Sequence, residues 1–218
     1  MSISHSSFLI SITGGTGSGK TTLAAALLHN FAQRGGACLL EQDSYYRDRS
    51  HLSISERASL NFDDPEALEN DLLFTHIEKL VNGKPIEKPV YCFKTHTRTS
   101  EIHIVHPTPV ILIEGLFALR DSRIRMLADL KIYVEADADL RFIRRARRDL
   151  FDRGRTLESV IDQYLSSVRP MHQLHIDPTR SYADFVVQNN GDIAEFRSEI
   201  EKTFSRVLQS MRLKQKSS

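Results

Sequence analysis

Tryptophan is absent from this 218-residue chain, and cysteine occurs only twice, as Cys38 and Cys92. Two cysteines so far apart match neither a disulfide framework nor the close spacing of a structural zinc site. No apolar run approaches the roughly 18 residues of a membrane span, and the first residues lack the basic start and long apolar core of a signal peptide. We therefore expect a reduced, cytoplasmic protein rather than a secreted or membrane protein.

Charge of one sign is not in excess either. The 29 lysine and arginine residues balance 28 aspartate and glutamate residues, which gives a formal net charge of +1 at pH 7. Proteins dedicated to nucleic acids or to membrane surfaces usually carry a clear basic surplus, so neither partner is expected. The chain is 40% hydrophobic, enough to bury a core, and its length fits one α/β domain over residues 1–218.

Short apolar runs alternate with helical patterns along the chain. The runs that predict strands are FLISIT, ACLLEQD, VILIEG, LKIYVEAD and ADFVVQNNG. This alternation predicts an α/β fold with a mostly parallel sheet covered on both faces. Two alternating runs at about residues 84–107 predict an antiparallel β-hairpin outside that sheet. A further helix is predicted over about 157–168, ended by Pro170.

The stretch GGTGSGKTT satisfies the pattern G-x-x-x-x-G-K-[ST] between a predicted strand and a predicted helix. In this pattern backbone N–H groups surround a phosphate chain, Lys20 reaches the β- and γ-phosphates, and the Thr21 hydroxyl binds Mg²⁺. The predicted nucleotide-binding residues are Gly14, Gly15, Thr16, Gly17, Ser18, Gly19, Lys20, Thr21 and Thr22. The sequence lacks the D-x-x-G and N-K-x-D motifs of switch GTPases and the L-S-G-G-Q motif of transport ATPases, which leaves a small kinase as the leading class.

Two acids directly follow the patterns of buried strands. Ligands of parallel sheets bind at the C-terminal ends of the strands, where Glu114 and Asp43 are predicted to lie. Glu114 is predicted to face the Mg²⁺ of a nucleotide, and Asp43 to accept the proton of the acceptor hydroxyl. The alternatives are a hydrogen-bonded strand end for Glu114 and a plain turn residue for Asp43.

Seven arginines lie within residues 141–155. Four of them share one helical face: Arg141, Arg144, Arg145 and Arg148. This face predicts a lid, about residues 137–170, that clamps transferring phosphates; a solvated basic face is the alternative. Without bound phosphate the arginines are expected to lack anions, and the helix to be mobile. Gln163 lies off the apolar stripe of the next helix, and spacing alone leaves it either on the surface or in a cleft.

In their order and spacing, these segments resemble the uridine kinase (uridine–cytidine kinase) family of P-loop nucleoside kinases. The resemblance covers about residues 8–191 and is carried by GGTGSGKTT, LLEQDSYY, NFDDPEAL, YCFKTHTR, VILIEGLFAL, ADADLRFIRRARRDLFDRGR and YADFVVQNNG. It implies a three-layer P-loop NTPase fold with a five-stranded parallel sheet, a β-hairpin over the substrate and a helical lid.

The resemblance also implies roles for individual residues. Asp43 is similar to the base that deprotonates the nucleoside 5′-hydroxyl, with Lys20 and Arg148 as the other catalytic residues, and Glu114 resembles the Mg²⁺-associated acid. The implied substrate contacts are Asp63 to the ribose, Tyr91 and His96 to the pyrimidine, and Arg145, Arg153 and Gln163 to the nucleoside or its phosphate. The QNNG turn resembles the loop beside the adenine of ATP.

The implied activity, in pyrimidine salvage, is phosphate transfer from ATP, with GTP as an alternative donor, to the 5′-hydroxyl of uridine and cytidine. The products are UMP and CMP, the metal is Mg²⁺, and the resemblance implies a homo-tetramer. Two alternatives stay open. One is a P-loop kinase of another small alcohol, similar to phosphoribulokinase or pantothenate kinase. The other is a non-catalytic nucleotide-binding regulator.

Overall fold

The computed structural model describes residues 7–217. Residues 1–6, on which the expected absence of a signal peptide largely depends, and residue 218 of the predicted domain lie outside the described residues. Within residues 7–217 the chain forms seven strands: β1 (Phe8–Gly14), β2 (Ala37–Glu41), β3 (Ile86–Cys92), β4 (Thr97–Val105), β5 (Val110–Glu114), β6 (Leu130–Glu135) and β7 (Phe185–Gln188).

Five of these strands form the predicted parallel sheet, and their order in it is β2-β5-β1-β6-β7. The central strand β1 is buried along its whole length, which explains its continuous apolar run. Glu114 at the end of β5 is in register with Glu41 of β2 and with Ile12 of β1. The C-terminal ends of β2, β5 and β1 therefore lie side by side at one edge of the sheet.

Helices cover both faces of the sheet, and this confirms the three-layer prediction. The helices are α1 (Lys20–Ala32), α2 (Ile54–Ala58), α3 (Asn70–Val81), α4 (Ser122–Leu127), α5 (Ala138–Phe151), α6 (Leu157–Gln163), α7 (Arg169–Met171) and α8 (Ile193–Ser217). Side chains of β1 alternate between the layers: Ile10 packs with Phe31 of α1 and Val207 of α8, whereas Leu9 packs in a second cluster with α3 and α4. Each fully buried leucine or isoleucine stabilises this arrangement by about 1.5–3 kcal/mol. No helix within the described residues is both long enough and apolar enough to cross a membrane.

Strands β3 and β4 form the predicted antiparallel hairpin, with an irregularity between Pro89 and Tyr91. The hairpin is tied to the edge strand of the sheet by an ion pair between Lys88 Nζ and Glu41 Oε2, at 2.5 Å. Lys88 is buried, so this contact fixes the base of the hairpin next to the C-terminal end of β2.

The prediction that Pro170 ends the helix is wrong. Helical structure continues from α6 through a π turn at Tyr164–Val168, α7, a second π turn at His172–Ile176 and a 3₁₀ segment at Asp177–Tyr182. In a regular α-helix the proline ring clashes with the carbonyl group four residues earlier. The π turn just before Pro170 widens the backbone at that point, so the chain bends and continues instead of stopping.

Candidate active site

The glycine-rich loop joins β1 to the N-terminus of α1. Gly17 and Gly19 have φ angles of 75° and 98°, in the left-handed region that disfavours residues with a side chain. A Cβ atom at Gly19 would also lie 3.1 Å from the Phe196 ring and against the Asn189 amide, so the loop is tightly enclosed. The first turn of α1 contains no acid, which leaves its N-terminal dipole free for an anion.

Thr21 and Glu114 are in direct contact at the C-terminal end of the sheet. The Thr21 hydroxyl donates a hydrogen bond to Glu114 Oε1 at 3.2 Å. Glu114 is only 5% exposed, and its other oxygen, Oε2, is buried without a hydrogen-bond partner among residues 7–217. Burial raises the pKa of this carboxyl group, and the Lys20 ammonium opposes that rise.

This pair has the chemistry of a Mg²⁺ site. A hydroxyl and a carboxylate oxygen are hard ligands, and the orphaned Oε2 atom lacks the partner that buried carboxylates normally have. Among residues 7–217, no cluster of three or more His, Cys, Asp or Glu side chains is arranged to hold a metal ion by itself. Mg²⁺ usually binds through one or two protein ligands together with substrate phosphates, so the residues present fit the ion.

Asp43 lies in a 3₁₀ turn, Gln42–Tyr45, directly after β2. The buried Gln42 side chain anchors this turn, because its Oε1 accepts a hydrogen bond from the Phe117 backbone N–H at 2.8 Å. Gly115 allows that contact, since a Cβ atom there would overlap the Gln42 side chain. Asp43 thereby lines the same cleft as Lys20 and the residues around it, a cavity of about 990 Å³.

The hairpin closes the other end of the cleft with aromatic side chains. Tyr91 and Phe93 line the cleft, and the Tyr91 ring lies 5.1 Å from Tyr46 and 5.2 Å from Phe93, centroid to centroid. The Tyr91 hydroxyl is buried, and it has no hydrogen-bond partner in the part of the chain that the structure describes. Burial raises the pKa of this phenol, so it stays protonated near neutral pH and can both donate and accept.

His96 lies in the loop between β3 and β4, with a φ angle of 52°. Its ring stacks on Phe62 at 5.3 Å and 22°, a contact that links two segments far apart in sequence. Partial burial lowers the pKa of the imidazole, and the nearby Arg155 and Arg57 guanidinium groups lower it further, so the neutral form is favoured. In this structure His96 does not line the cleft that holds Asp43.

Asp63, Arg145 and Gln163 come together beside the cleft rather than on its wall. Asp63 is 8% exposed and accepts a hydrogen bond from the Ser167 hydroxyl at 3.1 Å. Its Oδ1 atom lies 3.9 Å from Arg145 Nη1. Arg145 Nη2 donates to Gln163 Oε1 at 2.9 Å, so Gln163 is part of a polar network and not plain surface.

The arginine-rich face of α5 is turned inward. Arg141 and Arg145 are 7% and 6% exposed, which rules out a solvated basic face. Arg145 Nη1 donates to the Thr16 hydroxyl of the glycine-rich loop at 3.2 Å, and Arg144 Nη1 donates to the Asn189 carbonyl oxygen at 3.0 Å. Helix α5 is therefore hydrogen-bonded both to the glycine-rich loop and to the QNNG turn.

Sequence reasoning missed Asp149. This residue has no exposed side-chain surface and lies within 4 Å of four guanidinium groups. The four partners are Arg145, Arg148, Arg153 and Arg155. The expectation that the arginines lack an anion without ligand is wrong, because Asp149 supplies one. Its spacing of four residues from both Arg145 and Arg153 was the available signal.

Comparison with known proteins shows where this chain belongs. The model of the phosphoribulokinase / uridine kinase family matches residues 9–194. A uridine kinase of Halalkalibacterium halodurans is 51% identical over 183 residues, which is 84% of this chain and 86% of that protein. A uridine kinase of Oceanobacillus iheyensis is 47% identical over 204 residues, covering 92% of this chain and 97% of that protein.

Solved structures agree on the fold. Phosphoribulokinase from Rhodobacter spheroides superposes with a TM-score of 0.65 at 21% identity, over 84% of this chain and 70% of that chain. D-glycerate 3-kinase from Cryptococcus neoformans gives a TM-score of 0.63 at 15% identity, over 84% and 86% of the two chains. The family match over residues 9–194 and the relatives that are about half identical over most of the chain show that this chain belongs to the phosphoribulokinase/uridine kinase family.

Proposed function

We propose that this protein transfers the γ-phosphoryl group of ATP to the 5′-hydroxyl of uridine and of cytidine, giving UMP and CMP. One observation carries the proposal, namely a single cleft of about 990 Å³ that brings the predicted site residues together. It is lined by the glycine-rich loop, Thr21, Glu114, Asp43 and the hairpin residue Tyr91. This volume accommodates a nucleoside next to a triphosphate chain. The uridine kinases that are about half identical to this chain support the same substrate.

The phosphate end of the cleft binds and orients the donor. Backbone N–H groups of the glycine-rich loop and the Lys20 ammonium hold the β- and γ-phosphates. The Thr21 hydroxyl and the unpartnered oxygen of Glu114 would hold Mg²⁺. When bound, Mg²⁺ neutralises negative charge on the transferring phosphate. Because Glu114 is already buried, this site offers its carboxylate without further reorganisation.

Asp43 is the general base of the proposed reaction. Its carboxylate accepts the 5′-hydroxyl proton as that oxygen forms a bond to the γ-phosphorus, and the bond from phosphorus to the β–γ bridging oxygen breaks to release ADP. Arg148 and Arg153 line the same cleft and donate hydrogen bonds to oxygen atoms of the transferring phosphate, whose negative charge shifts during transfer. Lys20 stabilises the oxygen that leaves with ADP.

The nucleoside end selects the base and the ribose. The Tyr91 hydroxyl and a neutral His96 can each donate or accept, so they match either the O4 of uridine or the amino group of cytidine. His96 reaches the base when the hairpin loop moves toward the ligand, because in the structure it stacks on Phe62 instead. Asp63 lies beside the cleft in the structure, so it accepts from a ribose hydroxyl only when the surrounding segments move toward the ligand, with Arg145 and Gln163 behind it. GTP as a donor, the homo-tetramer and the cytoplasmic location stay predictions.

The decisive experiment measures ADP formation with one acceptor at a time. The panel contains uridine, cytidine, adenosine, ribulose 5-phosphate and pantothenate, with a Lys20→Ala variant as the control for contaminating kinases. We expect kcat/KM for uridine and cytidine to exceed the others by about 10²-fold or more, because a site built around specific hydrogen bonds rejects ligands that lack them. A preference for ribulose 5-phosphate or pantothenate would support another small-alcohol kinase. ATP binding without turnover on any acceptor would support a regulator.

A further inference from the structure

The carboxylate of Asp149 is the centre of the arginine cluster. Its Oδ1 atom lies 2.9 Å from Arg148 Nη2 and 3.3 Å from Arg153 Nη1, and its Oδ2 atom lies 3.5 Å from Arg145 Nε and 3.6 Å from Arg155 Nη1. The side chain is fully buried. Four cations thus share one buried anion.

Arg148 shows what this arrangement does to a residue that lines the cleft. Both its Nε and its Nη2 atoms point at Asp149 Oδ1, at 3.0 Å and 2.9 Å. A guanidinium group is rigid and planar, so fixing this edge fixes the direction of the Nη1 atom as well. No other partner holds the Arg148 side chain within residues 7–217. Its orientation in the cleft therefore depends on Asp149.

Arg153 depends on the same oxygen of that carboxylate, Oδ1. It approaches Asp149 with Nη1, and its guanidinium group lies over the Phe93 ring at 5.2 Å. Arg145 and Arg155 have further partners besides Asp149. Both donate to Gln163 Oε1, and Arg145 also donates to the Thr16 hydroxyl. Removing Asp149 would therefore release Arg148 and Arg153 more than Arg145 and Arg155.

We propose that Asp149 is a positioning residue for phosphoryl transfer: a built-in counterion that holds Arg148 and Arg153 in the cleft before substrates bind. This inference rests on the proposed function, because it assigns the two arginines to the transferring phosphate. Four guanidinium groups this close repel one another, and without an anion they would move apart toward solvent. Asp149 removes that reorganisation from the reaction step, and preorganised donors are the effective ones.

The test replaces the charge while keeping the shape. Asp149→Asn should lower kcat with uridine about 10- to 100-fold, while KM for ATP changes less than about threefold, since the glycine-rich loop holds ATP. Asp152→Asn is the matched control, because Asp152 is an exposed acid three residues further along and makes no ion pair with an arginine within residues 7–217. Rates are expressed per folded protein, measured by circular dichroism.

A second measurement separates positioning from a purely structural role. Asp149→Asn is also made in an Arg148→Gln background. If Asp149 acts through Arg148, the double variant loses much less activity than the two single losses multiplied. Independent, multiplicative losses, or a kcat of Asp149→Asn within threefold of the parent, would overturn the proposal. A failure of the proposed function is a different result, namely a parent protein that does not phosphorylate uridine at all.

Asp149→Glu carries the test if the asparagine variant does not fold. The glutamate keeps the negative charge but moves it by one methylene group, so kcat should fall while KM for ATP stays within threefold of the parent. An unchanged kcat in this variant would contradict a need for accurate arginine placement. Equal weakening of ATP binding and of turnover would indicate a structural defect and would also overturn the proposal.

Discussion

The Thr21 hydroxyl donates a hydrogen bond to one oxygen of Glu114, at 3.2 Å, and the other oxygen of that carboxylate is buried without a partner among the described residues. A buried polar atom without a partner costs about 1–3 kcal/mol, so the arrangement is unfavourable in the free protein. A bound cation removes that cost, because it supplies the missing partner.

Replacing Glu114 with glutamine tests this interpretation. The amide is neutral and cannot replace a carboxylate ligand, so the Mg²⁺ concentration for half-maximal rate should rise about tenfold or more. Glu78→Gln is the control, because Glu78 is an exposed acid of α3 and is not among the residues that line the cleft. Titration of the initial rate with Mg²⁺ gives the answer, and an unchanged half-maximal concentration contradicts the metal assignment.

Asp43→Asn should abolish proton acceptance and leave ATP binding intact. Loss of a general base typically lowers kcat about 10²- to 10⁴-fold. The affinity for ATP, measured by equilibrium titration, should change little because the glycine-rich loop and Lys20 are untouched. Asp71→Asn, at an exposed acid of α3, serves as the control. Near-parent turnover of the Asp43 variant would reduce this residue to a turn position.

Arg148 and Arg147 are adjacent on α5 but differ in environment. Arg148 lines the cleft, whereas Arg147 is exposed. Arg148→Gln should lower kcat about 10²-fold with a smaller change in KM for ATP, as expected for a donor that acts mainly in the transition state. Arg147→Gln should leave both constants near those of the parent. Steady-state kinetics of the pair decide the matter, and equal effects would argue against a specific clamp.

Tyr91→Phe is expected to move activity and stability in different directions. The buried hydroxyl has no partner in the free protein, so its removal should not lower the free energy of unfolding. The hydroxyl is needed to contact the bound base. Its loss should cost about 1–3 kcal/mol of transition-state stabilisation, measured as a lower kcat/KM for uridine. Tyr182→Phe, at a tyrosine 47% exposed, is the control. A variant that loses stability and keeps full activity would reverse the assignment.

His172 predicts a pH dependence of stability. Burial and the Arg141 guanidinium lower the pKa of His172 to about 4 from an ordinary value of 6.5. Between these values the unfolded chain binds more protons than the folded one, so stability falls as pH drops below about 6.5. The loss from pH 7 to 5 should be about 1–2 kcal/mol, allowing for partial exposure. Chemical denaturation at several pH values measures it, and His172→Gln should remove that part of the slope.

Local patterns predicted the parts of this molecule that local forces determine. The glycine-rich loop, the strand ends at Glu114 and Asp43, and the hairpin follow from residue spacing and periodicity. The course of the chain past Pro170 did not, because a π turn relieves the proline clash and such turns have no simple sequence pattern.

Contacts between segments that are distant in sequence could not be predicted, because local patterns do not say how such segments pack together. Stacking of His96 on Phe62 and the approach of Asp63 to Arg145 depend on how the hairpin, the loop that carries Phe62 and Asp63, and helix α5 pack together. Asp149 lies within the arginine-rich stretch of the sequence, yet helical periodicity alone does not say which acid is buried. Burial decides that, and burial is a property of the whole fold.

The alignment of Glu41 and Glu114 in one register has a consequence for how this protein tolerates change. Spacing between neighbouring strands, about 4.8 Å, is fixed by backbone hydrogen bonds and not by side-chain size. Substitutions in the core can therefore alter stability without altering the distances between the carboxylates and the phosphate loop. Deleting one residue from β5 would be different: it would turn Glu114 to the opposite face of the sheet. Side-chain packing in the core can therefore change more freely than the length of β5, because only a change of length moves Glu114 away from the site.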